Sequence, residues 1–180
     1  MRYCLIEQNL EYFDAPKVSD FHQKINKWSF YNDKSFEIPM RSVVNVLPNK
    51  NLDFVDYLFP SVPLITKRMR EVIEKFESEF VIKEIILFDP ESGLNELYYI
   101  PFFHRFESDV LQSPSWFEVQ HGDFEKQISI SPPFELPVFY VFHENTCLLF
   151  MRLDLIEALL RSGVRGLVLR NADVVCKEEK

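Results

Sequence analysis

Hydrophobic and polar positions change period several times along this chain, and the changes mark its elements. Over 66–80, "TKRMREVIEKFESEF", the residues Met69, Val72, Ile73, Phe76 and Phe80 recur with helical spacing and predict one buried face. Thr66 stands where a hydroxyl could accept from a free N–H of the first turn, the position of an N-cap. "MRLDLIEALLRSGVRGLVL" (151–169) predicts a second helix. Asp154 is its N-cap, with Glu157 three residues on, as in a capping box. Leu155, Ile156, Leu159 and Leu160 form the buried stripe. Gly163 supplies the left-handed stop, Val164 packs back onto Leu159, and "GLVLR" restarts as a strand.

Elsewhere the apolar runs are short and strand-like. "KEIILFD" (83–89) and "LYYIPFFHRF" (97–106), joined by "PESGLNE" around Gly93, predict a β-hairpin, and Pro101 places its second strand at an edge or a bulge. "SVVNVLP" (42–48) reads as a strand ended by Pro48 and Asn49. "WFEVQ", "KQISI", "VFYVF" and "CLLFM" follow as short strands, with "HENT" a tight turn between the last two. "RYCLIE" offers a first strand. Residues 14–39, with "KWSFYNDKSFEIP", read as mostly loop with short strand pieces. The sum is an α+β fold: a mainly antiparallel sheet with about two helices packed on one face. A single domain over 1–180 is expected, with 1–60 an irregular N-terminal part and 61–170 the α+β core.

One local rule is broken. Lys67, Arg68 and Arg70 crowd the start of the first long helix, where the dipole is positive, while Glu77 and Glu79 crowd its end. Tertiary partners that offset the arrangement are the expected explanation. On the outer side, Lys67–Glu71, Arg70–Glu74 and Glu71–Lys75 are spaced to pair, each contributing ~0.2–0.5 kcal/mol.

Composition adds a surface. Phe alone accounts for 18 residues, more than so small a domain can bury at its centre, so some aromatic surface stays exposed. Net charge is -8, which disfavours nucleic-acid binding and favours a basic protein partner. The N-terminus, "MRYCLIEQNLEYFDAP", lacks the apolar run of a signal peptide, and no stretch approaches the ~20 apolar residues of a bilayer span. Three scattered cysteines, Cys4, Cys147 and Cys176, give no disulfide framework. A cytoplasmic protein is expected.

Candidate chemistry is sparse. His22, His104, His121 and His143 form no helical metal pair, and His143–Cys147 span a turn, so no metal and no cofactor are expected. There is no GxSxG, Walker loop or GxGxxG. Cys4 and Cys147 sit in apolar strands, where inert thiols are usual. The acidic residues Asp89, Glu91, Glu96, Glu107 and Asp109 gather around the predicted hairpin beside Tyr98, Tyr99 and Trp116. Carboxylates that steer and rings that anchor make this the expected partner-binding face.

"VPLITKRMREVIEKF", "LYYIPFFHRFESDVLQSPS" and "FYVFHENTCLLFMRLDLIEALLRSGVRGLVL" resemble the successive segments of a bacterial immunity-protein family found beside polymorphic toxins. The resemblance spans roughly 60–170. It implies a non-enzymatic cytoplasmic protein that neutralises a cognate protein toxin by stoichiometric binding, and it carries no active site. Two other readings stay open. One is a hydrolase-like enzyme using Cys147 or the carboxylates near Glu107; the other is an intracellular adaptor.

Overall fold

Tyr3–Gln8 forms the organising strand, β1. Its residues alternate between two buried faces: Cys4 and Ile6 point to one cluster, Tyr3 and Leu5 to another. The computed structural model describes residues 2–107, 126–130, 136–143 and 146–176; for 107, 126–130, 143 and 171–176 only the backbone path is described.

β10 (Thr146–Arg152) and β11 (Leu167–Cys176) flank β1, both antiparallel to it. They are therefore parallel to each other, and the helix α4 (Leu153–Arg161) makes the crossover between them. β9 (Val138–His143) pairs antiparallel with β10, β7 (Arg105–Glu107) pairs parallel with β9, and β8 (Lys126–Ile130) pairs parallel with β11. The order of this six-stranded sheet is β7-β9-β10-β1-β11-β8. Both of its faces are buried at the centre. Val138, Tyr140 and Phe142 join the main core, while Phe139 and Val141 join the second cluster with Phe150. That two-sided burial explains why "VFYVF" and "CLLFM" are continuous apolar runs.

A second sheet of five strands has the order β2-β5-β6-β4-β3: β2 (Arg41–Asn45), β5 (Val81–Phe88), β6 (Asn95–Phe102), β4 (Leu64–Thr66) and β3 (Tyr57–Leu58). The expected β5–β6 hairpin forms, closing at Phe88↔Asn95 around Gly93, whose φ is 74°, but the predicted 97–106 strand divides: β6 ends at Phe102 and Arg105–Glu107 joins the six-stranded sheet as β7. β4 pairs with β6 only at Tyr98 and Tyr99, so β6 is unpaired by β4 at Pro101, as an edge requires. The fold is α+β, as the pattern predicted, but the strands divide into two sheets rather than one, with parallel pairs at β2–β5, β7–β9 and β8–β11.

The two expected helices are α4 and α3 (Lys67–Ile73), and they contact each other. Helix α3 is shorter than predicted. Its last turn tightens through Lys75 N–H to Val72 and Phe76 N–H to Ile73, and Phe80 leaves the helical path to meet the Phe103 ring at 4.9 Å. Acidic residues at the negative end of the dipole gain nothing from extending it. Thr66 holds the N-cap position, yet its hydroxyl donates to Asp56 Oδ1 at 2.5 Å and caps nothing. α4 begins directly after β10, so Arg152 is its N-cap; Asp154 lies in the first turn, where its carboxylate accepts from Arg152 and from Leu155 N–H.

Residues 14–39 depart most from expectation. The segment forms helical turns rather than strand pieces: α1 (Phe21–Lys24), α2 (Lys27–Tyr31) and a 3-10 turn at Ser35–Glu37. Tertiary anchors select them. Phe21, Ile25, Phe30 and Ile38 are buried, and the Asn26 side chain caps α2. The Arg105 guanidinium donates to the carbonyls of Phe30 and Tyr31 at the C-terminal end of α2, where a cation is favoured. It also lies 4.1 Å from the centre of the Phe142 ring. No helix among the described residues is long and apolar enough to cross a membrane.

Candidate functional site

The hairpin nominated by the sequence is built differently from a free acidic face. Asp89 is 1% exposed; its Oδ1 accepts from Glu91 N–H at 2.9 Å and its Oδ2 from Ser92 Oγ at 2.6 Å. Those hydrogen bonds, the Ser92 one first, hold its carboxyl below the usual value. Asp89 therefore shapes the turn. Tyr98 is 0% exposed and donates to Val55 O at 2.5 Å; burial, before nearby carboxylates, holds its phenol far above the ordinary range. Tyr99 is 4% exposed beneath the Arg70 guanidinium, which lies 4.8 Å from the ring centre. Neither ring can anchor a partner. The tyrosines lie in a strand covered on both sides, and sequence alternation alone did not show this. Glu91 is exposed and Glu96 half-buried. Glu107 ends β7. Asp109 and Trp116 lie outside the described residues.

Among the described residues, a convergence of charged side chains lies elsewhere. The segment 53–56 runs between the start of α3 and the turn after α4. Asp56 is buried, its Oδ1 accepts from Thr66 Oγ1, and its Oδ2 accepts from Arg165 N–H at 2.9 Å and faces Arg68 Nη1 at 3.6 Å. Arg68 also donates to Gly163 O at 3.1 Å. Arg165 grips Asp53 through both guanidinium nitrogens at 2.9 Å. These contacts explain the inverted charges at α3: Arg68 serves the carbonyl end of α4, and Arg70 serves Tyr99 and Glu74. Gly166 has φ 91°, and a Cβ there would lie 2.9 Å from Val55 Cβ. No buried side-chain polar atom among the described residues lacks a hydrogen-bond partner, and the carboxylates of this junction are taken up by Thr66, Arg68 and Arg165, so it joins elements.

Nucleophiles fare no better. Cys4 and Cys147 are buried, and burial pushes the Cys147 thiol well above its usual range against a weaker pull from Arg105. A thiol held protonated is a poor nucleophile. Ser61 Oγ lies 3.3 Å from His22 Nε2, yet its hydrogen goes to Pro60 O at 2.6 Å. Among the described residues, no group of three or more His, Cys, Asp or Glu could hold a metal ion.

Among the described residues, several large apolar side chains are exposed. Phe13 and Phe36 are each 79% exposed, Leu10 is 78% exposed, and Met40 and Val43 follow Phe36 into β2, the edge strand of the five-stranded sheet. Tight local bonding presents the first group: Phe13 N–H donates to Glu11 O, Ala15 N–H to Tyr12 O, and Glu11 N–H to Asn9 Oδ1, while Tyr12 packs against the core. In the chain Glu11 and Asp14 flank Phe13 and Glu37 follows Phe36, though the Glu37 carboxylate accepts from Ser29 and pairs with Lys34. Sequence reasoning foresaw exposed rings beside acids but placed them on the hairpin. The signal for the exposed rings found among the described residues is weak: Leu10 and Phe13 belong to no apolar stripe. No family model and no curated protein matches the chain.

Proposed function

We propose that this protein binds another protein and inactivates it by occlusion, as a cytoplasmic immunity protein does for the toxin encoded beside it. The reading rests on the resemblance over 60–170 and on one observation of the surface: Phe13 and Phe36 stand 79% exposed on a chain of net charge -8, with acidic residues next to them in the sequence. Exposed rings are costly to leave in water and become anchors when a partner buries them, while carboxylates steer a basic partner toward them. The rings lie outside the segment that carries the resemblance, so the 9–43 surface is this chain's own addition to the reading.

The test is co-purification with the adjacent toxin. A one-to-one complex at micromolar concentration is expected, and the Phe13→Ser, Phe36→Ser double variant weakens it by about tenfold or more, equivalent to ~1.4 kcal/mol. Absence of any complex in low salt overturns the proposal. A complex indifferent to both rings overturns the assignment of the face.

A further inference from the structure

A cleft of about 310 Å³ opens where the 16–22 segment crosses the end of β1 and the chain at 58–60. We propose that it is a binding site for a small organic carboxylate with a compact apolar body. Among its lining residues Phe21 and Leu58 are buried and Val18 is half-buried, while Gln8, Lys17, Ser19 and His22 are the polar ones. The volume sits at the lower end of the ~300–1,000 Å³ of small-molecule sites.

The donors decide the ligand. Gln8 Oε1 accepts from Phe59 N–H at 2.7 Å, which fixes the amide and leaves its NH2 group, unmatched by any acceptor among the described residues, to donate. Lys17 is held through its backbone carbonyl by Leu47 N–H at 2.7 Å, and its ammonium has no ion pair among the described residues. The neighbouring carboxylates are committed elsewhere. Asp20 accepts from Asn45 N–H and Nδ2, and Glu7 pairs with Arg170 at 2.5 Å. No carboxylate lines the cleft. A lining lysine without an ion pair among the described residues and a free amide donor, beside buried Phe21 and Leu58, match an anionic head with a ring or short aliphatic body.

The probe is benzoate, followed by amide chemical shifts of the isotope-labelled full chain. Saturable shifts confined to Gln8, 16–22 and 58–60 are expected, with uncharged benzamide weaker by about tenfold or more. Lys17→Gln weakens benzoate to a similar degree while the thermal midpoint holds, since Lys17 is exposed; Lys17→Arg retains binding. No saturable shift, shifts that map elsewhere, equal binding of benzamide, or indifference to Lys17→Gln each overturn the proposal. None of these outcomes bears on toxin binding, which is read by the complex.

Discussion

The β10–α4–β11 unit and the 9–49 segment solve the same problem, covering apolar surface, by opposite means. In β10–α4–β11 most local preferences agree with the packing, with two corrections: Arg152 rather than Asp154 takes the N-cap, and Leu160, expected in the buried stripe, is 52% exposed. The stripe Leu155, Ile156, Leu159 is buried, Gly163 adopts φ 77° after the last turn, and Val164 N–H returns to Leu159 O. The 9–49 segment has turns of four and five helical residues that could not persist alone. It is held by single side chains dropped into the core and by Arg105 reaching across from β7. The first unit leaves Leu160 as its most exposed apolar residue near the turn; the second leaves Phe13 and Phe36 in water. Regular elements hide their apolar faces by periodicity, whereas an irregular segment can afford to display them, which is where binding residues concentrate.

The contrast can be broken most severely at Gly166. A Gly166→Val change forces a side chain into Val55 and Tyr57 O at a φ of 91°, and a loss of about 3 kcal/mol or more is expected from denaturant unfolding. Asp56→Ala removes the shared acceptor of Thr66, Arg165 and Arg68, and a loss of about 2–3 kcal/mol is expected; Asp56→Asn retains part of it. A midpoint unmoved by Asp56→Ala would show that segment 53–56, the start of α3 and the turn after α4 are not joined there. Gly163→Val meets no neighbouring atom, so only backbone strain acts, at about 1 kcal/mol, and Gly163→Asn recovers most of it.

A smaller effect sharpens the comparison through pH. Asp89 is held below its ordinary value of 3.8, the Ser92 hydroxyl bond being the largest cause. A depressed native value means the unfolded chain binds the proton first. The stabilisation is therefore complete above that ordinary value and is lost as pH falls through the lower native one. Asp89→Asn should flatten the acid limb of stability against pH; an unchanged limb would remove Asp89 from the turn's support.

Much of the fold was legible where one segment contains its own reasons. The spacing of Leu155, Ile156 and Leu159, the stop at Gly163 and the alternation in "KEIILFD" each need only near neighbours to be interpreted. The candidate site was not. Tyr98 and Tyr99 looked like surface anchors because a strand's sequence does not state how many sheets or helices cover it.

By itself, then, the sequence determined the α+β class, the two main helices, the β5–β6 hairpin and the excess of rings and acids, because propensity and periodicity are short-range. Only the tertiary structure decided that the strands split into two sheets, that Asp56 rather than Thr66 organises the start of α3, and which aromatic residues face solvent. Those outcomes depend on which distant groups satisfy or cover one another, as when Gly166 allows Val55 to approach or Arg68 finds the end of α4.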